Sequence, residues 1–527
     1  MSAARRKSRA TAELPPLVQA LLDPRAYPHH PHKIELVQTQ MSFVFLTGDL
    51  AYKVKKAVDL GYLDYTTLEK RRHFCHQEVA LNRRLCPDTY LGVVEVVDEG
   101  GQTRVEGKGK VLEYAVKMRQ LPRERMLDHL LAQGQATTPM VQRVARVLAD
   151  FHFRSPTGPE ISPFGSLQAI RANTEENFNL TRPYIGRTIT PRQYRKLKGY
   201  TYQFLRQNQA LFQQRVGAGR IRDCHGDLHA AHICLENGLC IYDCIEFNDR
   251  FRYGDVASEL AFLAMDLDFH GFPGLSRALV EEYISASGDD LLGVLLFYKV
   301  YRAYVRGKVE GFTADSPAVP PPEKELALVR ARRYFDLAYA YANRTLAITC
   351  GLVGTGKTSV ALRLGEGLGW EVVSSDLVRK ALAGIPPTQH RFEAFDRGIY
   401  SPDFSRRTYE EMFRLARNSL LQGYSVILDA TFRYPEDREE AARLARELGA
   451  GFFILETVCP PELVRARLDE RLRGETPSDG RWEIYLKEKE TWQEVTEAPP
   501  RHHWRIDTSR PLETALKGLL DRLRPRA

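Results

Sequence analysis

The stretch Gly351-Leu-Val-Gly-Thr-Gly-Lys-Thr358 constrains this chain more than any other. It fits the pattern G-x-x-x-x-G-K-[ST], and its flanks fit too. The apolar run Leu346-Ala-Ile-Thr-Cys350 reads as a strand entering the loop, and Ser359-Val-Ala-Leu-Arg-Leu364 as a helix leaving it. Each part has a physical task. Gly351, Gly354, Thr355 and Gly356 let backbone N–H groups turn inward around phosphate oxygens, and the helix aims its positive N-terminus at the same anion. Lys357 is expected to reach the β- and γ-phosphates, and the Thr358 hydroxyl to ligate Mg²⁺. A nucleoside triphosphate, ATP or GTP, is the expected ligand.

Such a loop belongs in a parallel sheet, and the chain after residue 344 supplies one. Apolar strands are predicted at 345–350, 371–375, 425–430, 452–458 and 504–507, separated by helical segments such as 438–448. Near-continuous apolar strands between helices indicate α/β architecture with both sheet faces covered. The first half reads differently. A hairpin (43–46 and 51–55), a helix near 68–85 and strands at 92–97 and 111–118 form a small lobe. Mostly helical patterns from 138 to 310 follow, interrupted by two short strands around Glu236-Asn-Gly238. The expected organisation is a basic flexible segment over 1–32, a first domain over 33–312, a Pro-rich linker and connecting helix over 313–343, and a second domain over 344–527. The stretch Thr313–Glu323 carries four prolines and is not expected to be helical.

At 527 residues, two large domains or three ordinary ones are expected. No run of about eighteen apolar residues occurs, so no membrane span is predicted. The basic start lacks an apolar segment after it, so a secretory signal is not expected and a cytoplasmic location is. A net charge of +8 is modest for a chain that binds nucleotide phosphates. Of the eight cysteines, Cys224, Cys234, Cys240 and Cys244 cluster in sequence without zinc-site spacing, and buried reduced thiols are expected.

Chemistry in the first half centres on Asp223-Cys-His-Gly-Asp-Leu-His-Ala-Ala-His-Ile233 and Ile241-Tyr-Asp243. Phosphoryl transfer to a hydroxyl needs a carboxylate near the acceptor, a metal ligand and a phosphate-binding lysine. Asp227 fits the first task and Asp243 the second. Lys53 or Lys55, on one face of the same hairpin strand, fits the third, and Glu78 would hold that lysine. These residues resemble the aminoglycoside phosphotransferase family, a branch of the bilobal protein-kinase-like fold. The resemblance implies that Asp227 is the catalytic carboxylate, Asp243 the Mg²⁺ ligand and Asp255 a buried anchor. It also exposes a departure: the family's second metal ligand, an Asn five residues after the catalytic Asp, is His232 here. His232 therefore stands in a metal-ligand position with a ring that suits Mg²⁺ poorly. His225 and His229 are expected to pack rather than react, and His29, His30 and His32 to be solvated.

In the second half, Asp376 follows the second strand, where it would face the γ-phosphate as a general base, with Arg379 one helical turn on. Asp429 ends the third strand, where it would steady Mg²⁺. Arg467 and Arg471 are spaced i, i+4 and would close over the phosphates. Together these segments resemble a P-loop kinase family that includes polynucleotide 5′-kinases, zeta-type toxins, chloramphenicol phosphotransferase and gluconate kinase. The resemblance implies a five-stranded parallel sheet in the order 2-3-1-4-5 and Asp376 as base. The fusion resembles a bacterial architecture, to which Ser478–Tyr485 also fits.

The combined expectation is a Mg²⁺- and ATP-dependent phosphotransferase with two nucleotide sites, acting on a hydroxyl of a small sugar- or nucleoside-like acceptor. One alternative is a polynucleotide 5′-hydroxyl kinase using only the C-terminal site, with Arg379, Arg391, Arg406, Arg407, Phe392 and Tyr400 along the strand. The other, motivated by His232, is an ATP-responsive regulatory protein with slow hydrolysis.

Overall fold

The computed structural model describes residues 14–523 apart from 237, 318, 388, 390–395 and 472–479. Contacts divide the chain into two compact units. The first contains residues up to 173, 209–289 and 316–320; the second contains 174–208, 290–315 and 321 onward.

In the first unit a six-stranded antiparallel sheet runs in the order β1 (Glu35–Gln38), β2 (Ser42–Leu46), β3 (Leu50–Lys55), β6 (Lys110–Arg119), β4 (Tyr90–Glu99), β5 (Gln102–Val105). Alternation along β3 puts Lys53 and Lys55 on one face and Tyr52 and Val54 on the other. The Tyr52 and Val54 face is buried with Val18, Leu21, Ala26 and Tyr27. Val18, Leu21, Ala26 and Tyr27 are thus core, not part of a flexible segment. Burying their apolar side chains, at about 25 cal/mol per Å², is what orders them. The opposite face meets the Leu68–Asn82 helix, which is N-capped by Thr67 and presents Cys75, Glu78 and Val79 inward. Short antiparallel pairs β7 (Ile221–Asp223) with β10 (Tyr253–Asp255), and β8 (Ile233–Cys234) with β9 (Cys240–Ile241), frame the His-Gly-Asp loop. The Val256–Phe269 helix is buried over most of its length. Cys240 is not a free thiol as expected: it is joined to Cys86 in a disulfide across 154 residues of sequence. Cys224, Cys234 and Cys244 are free and buried.

In the second unit five strands run β12 (Glu371–Ser374), β13 (Val426–Asp429), β11 (Thr345–Cys350), β14 (Gly451–Val458), β15 (His503–Asp507), with every pairing parallel. All six residues of β11, the central strand, are buried. Helices Leu292–Asp315 and Pro321–Ala342 also belong to this unit, so the compact units do not divide at residue 312. Two features hold the first helix here. Gly307 lets it approach the second, since a Cβ there would lie 2.8 Å from the Phe335 ring. Lys299, fully buried, donates to the Gln422 carbonyl at 2.9 Å and sits over the Tyr341 and Tyr424 rings. The proline stretch is also shorter as a break than expected. Thr313–Asp315 complete one helix, and Pro321 and Pro322 begin the next, where a missing N–H costs nothing. No helix among the described residues is long and apolar enough to cross a membrane.

Candidate active sites

In the first unit, β3 and the Leu68–Asn82 helix bring the two lysines to one carboxylate. Lys53 Nζ lies 2.9 Å from Glu78 Oε1, and Lys55 Nζ lies 2.7 Å from Glu78 Oε2. What separates the lysines is their second partner. Lys53 also reaches Asp243 Oδ1 at 2.6 Å, whereas Lys55 turns to Glu246, itself bonded by the Tyr65 hydroxyl at 2.6 Å. Lys53 therefore joins Glu78 to Asp243, and Lys55 is buried structure. Burial opposes the ammonium form of both lysines, but the surrounding carboxylates outweigh it and raise both pKa values. Enclosure likewise works against the ionised Asp243 carboxyl, yet Lys53 and His232 hold it well below the usual range.

The His-Gly-Asp loop is fixed from beneath by Glu259. Its carboxylate accepts the N–H groups of His225 (2.8 Å) and Gly226 (2.7 Å), and His152 Nε2 lies 2.8 Å away. Gly226 is required here: its φ is +91°, and a Cβ would come within 2.9 Å of the Phe251 carbonyl. Asp227 follows, 3.5 Å from His229 Nε2. Asp243 itself adopts a left-handed φ of 64°, uncommon for a residue with a side chain and frequent where function dictates aim.

His232 Nδ1 bonds the Asp227 carbonyl oxygen at 2.9 Å, while Nε2 faces Asp243 Oδ2 at 3.6 Å. Burial, reinforced by neighbouring His229, lowers its pKa to about 4. Mg²⁺ prefers oxygen ligands in a tight octahedron. Asp243 fits that demand; His232 does not, and His232 supplies no oxygen in place of the expected Asn.

In the second unit, β11 delivers the glycine-rich loop and the Lys357–Leu368 helix leaves it. Gly351 has φ +137°, and a Cβ there would lie 2.6 Å from the Thr457 carbonyl oxygen. Thr355 ties the loop down through Leu352 O and Thr457 Oγ1, both at 2.7 Å. Lys357 Nζ lies back on the Leu352 carbonyl at 3.0 Å. Asp429 ends β13 beside the loop, where it accepts from Thr349 Oγ1 at 3.1 Å. A cavity of about 590 Å³ opens here, and Gly354, Gly356, Lys357, Thr358, Asp376 and Asp429 all line it. A hydroxyl and a carboxylate are oxygen donors of the kind Mg²⁺ takes, so this residue set fits the metal.

The arginines are placed otherwise than their spacing implies. Arg379 lines the cavity but is buried, donating to Ile399 O at 2.6 Å and Ser405 Oγ at 3.1 Å over the Tyr400 ring. Arg467 does not line the cavity. It donates to Thr508 O at 2.6 Å, and Thr508 in turn donates to the Thr355 carbonyl at 2.7 Å. It thus braces the phosphate loop from outside. The Arg471 side chain, Arg391 and Phe392 lie outside the described residues.

One residue was not anticipated. Glu488, on the Trp482–Thr491 helix, accepts the Val353 N–H at 2.8 Å and lines the same cavity. Burial raises its pKa, with Lys357 opposing. Trp482 and Tyr485 of that helix pack with Val464 and Leu468 and against Leu352 and Val353, which seats Glu488 on the loop. The spacing of Trp482, Tyr485 and Glu488 on one helical face was the available signal.

Residues 69–297 match the model of the phosphotransferase enzyme family, and residues 346–493 match a model described as an AAA domain. The chain is accordingly a phosphotransferase built from two kinase-type domains, one resembling the aminoglycoside phosphotransferases and one a P-loop kinase. An uncharacterized protein of Mycobacterium tuberculosis is 32% identical over 443 residues, 84% of this chain and 87% of its own. An uncharacterized protein of Mycobacterium bovis matches with the same values. The chain belongs to the family of these mycobacterial proteins. Among solved structures, a choline/ethanolamine kinase family protein from Mesorhizobium loti aligns with 61% of this chain and 98% of its own at 13% identity and a TM-score of 0.37. A gluconokinase from Sinorhizobium meliloti aligns with 34% and 93% at 16% identity and a TM-score of 0.26.

Proposed function

We propose that the second unit transfers the γ-phosphoryl group of ATP to a hydroxyl of a small, sugar- or nucleoside-like molecule, with Mg²⁺, and that the first unit holds a second nucleotide site. The observation that carries this reading is the single cavity lined by Lys357, Thr358, Asp376 and Asp429. Its volume lies within the roughly 300–1,000 Å³ of small-molecule sites. Its lining also includes Tyr409, Phe413 and Tyr434 together with Asp437 and Glu440, which suits an apolar ring face edged by hydroxyl donors.

In this reading the loop amides and Lys357 bind the phosphates once Lys357 leaves the Leu352 carbonyl. Thr358 and Asp429 would hold Mg²⁺, which when bound neutralises phosphate charge. Asp376 accepts the proton of the acceptor hydroxyl as its oxygen attacks the γ-phosphorus, and ADP departs. In the first unit Asp227 has the same task, with Lys53 on the phosphates and Glu78 holding it. ATP as donor favours a cytoplasmic location.

The polynucleotide reading is less supported, because Arg379 is committed to Ile399 and Ser405 rather than presented along an open basic groove. Calorimetry of ATP binding tests the proposal. Two sites are expected, one lost in Lys357→Ala and the other in Asp243→Asn. A screen of hydroxyl acceptors should then yield a phosphorylated product that Asp376→Asn abolishes. Slow hydrolysis alone would favour the regulatory reading.

A further inference from the structure

We propose that the first unit binds a divalent transition metal that accepts imidazole nitrogen, of the Mn²⁺, Co²⁺ or Zn²⁺ class, in preference to Mg²⁺. His232 and Asp243 would be its protein ligands, with His229 and Asp227 beside them. The inference rests on the reading of Asp243 as a metal ligand and departs from it in the identity of the metal.

The geometry is that of a prepared ligand. A carbonyl oxygen only accepts, so the 2.9 Å bond from His232 Nδ1 to Asp227 O places the proton on Nδ1. Metal-binding histidines are commonly held this way: one ring nitrogen donates to a fixed acceptor, and the tautomer so selected leaves the other nitrogen as the ligand. Here that other nitrogen, Nε2, faces Asp243 Oδ2 at 3.6 Å. Metal bonds of about 2.0–2.2 Å place neighbouring ligands of one ion roughly 3 to 3.7 Å apart, so this separation suits a shared ion. Asp243 is divided to match. Lys53 takes Oδ1 at 2.6 Å, which leaves Oδ2 toward the imidazole. His229 Nε2 lies 3.5 Å from Asp227 Oδ2, and ligand atoms of Asp227, His229 and His232 all lie within 4.8 Å of one another.

An imidazole nitrogen facing a carboxylate oxygen is a borderline donor pair. Imidazole suits Zn²⁺, Co²⁺ and their neighbours, while Mg²⁺ is served by oxygen alone. The imidazole at position 232 thereby biases the site toward a metal that accepts nitrogen.

The test is a Co²⁺ titration of the untagged full-length protein without nucleotide, followed by visible absorption and calorimetry. Mg²⁺ is the competitor. The wild type should show a nitrogen-ligated Co²⁺ band that excess Mg²⁺ does not displace. His232→Asn and Asp243→Asn should each weaken Co²⁺ binding by about tenfold or more, and His232→Asn should make the remaining site displaceable by Mg²⁺. Circular dichroism verifies that the variants fold, and His229→Asn, which retains both proposed protein ligands, serves as a third variant with a smaller expected loss. Loss in Asp243→Asn with full retention in His232→Asn would overturn the inference and leave Asp243 as a metal ligand. Unchanged Co²⁺ affinity in both variants would overturn both.

Discussion

Glu488→Gln separates the charge of this residue from its hydrogen bond. The Gln amide oxygen can still accept the Val353 N–H that Glu488 Oε2 now accepts at 2.8 Å, so the Trp482–Thr491 helix should stay seated. What disappears is the negative charge this carboxyl carries when ionised, in the cavity that Lys357 lines. A γ-phosphate drawn to Lys357 brings negative charge to within about 5 Å of that carboxylate, where two unit charges at an effective dielectric constant of about 20 repel by roughly 3 kcal/mol. Lys357 and Arg433 lie near enough to oppose part of this. A net gain of about 1.4 kcal/mol on removing the charge corresponds to roughly tenfold in affinity. Calorimetry should compare ADP with a non-transferable ATP analogue in an Asp243→Asn background, the variant in which the first unit's proposed nucleotide site is expected to be lost. Analogue binding should tighten about tenfold in Glu488→Gln while ADP binding stays within about twofold. An unchanged ratio of the two affinities, or weaker analogue binding, would refute the electrostatic argument.

Other expectations concern stability and redox state. Arg438 is fully buried, paired with Glu497, and donates to the carbonyls of Phe432, Gln493 and Glu494. Arg438→Met should cost about 3–5 kcal/mol by leaving these acceptors unpaired, read as a lower denaturant midpoint of the second unit. Burial works against ionised Glu259, but His152 and the loop N–H groups hold its pKa at about 2, below the ordinary 4.5. Its stabilisation is therefore complete above about pH 4.5 and lost as pH falls toward 2, amounting to about 3 kcal/mol. Glu259→Gln should be less stable at pH 7 and unfold with a shallower acid dependence; an unchanged acid profile would count against this. Finally, six cysteines are free and Cys86 is joined to Cys240, so denaturation without reductant should expose six alkylatable thiols, and eight after reduction.

Local sequence carried the parts of this protein whose chemistry is contiguous. The phosphate loop, the His-Gly-Asp loop, the β2–β3 hairpin and the apolar strands of the second sheet are legible because each needs particular residues at fixed spacing. The break near 313–323 is shorter than its proline content implies, since prolines at a helix start sacrifice no hydrogen bond. Residues 16–27 read as part of a flexible segment because the burial partners of Val18, Leu21, Ala26 and Tyr27, such as Phe45 and Tyr52, come later in the chain.

What the sequence alone determined was therefore the two kinds of site and the residue types within them. The tertiary structure decided which residues meet. It assigned Lys53 rather than Lys55 to Asp243, although both lie on one face of β3 and share Glu78. It sent Arg379 and Arg467 to backbone carbonyls, joined Cys86 to Cys240, and set Glu488 on the phosphate loop 135 residues away. Spacing along a chain specifies which face a side chain shares with its neighbours. Its partner depends on how separate elements pack, and that is settled by burial and pairing across the whole unit.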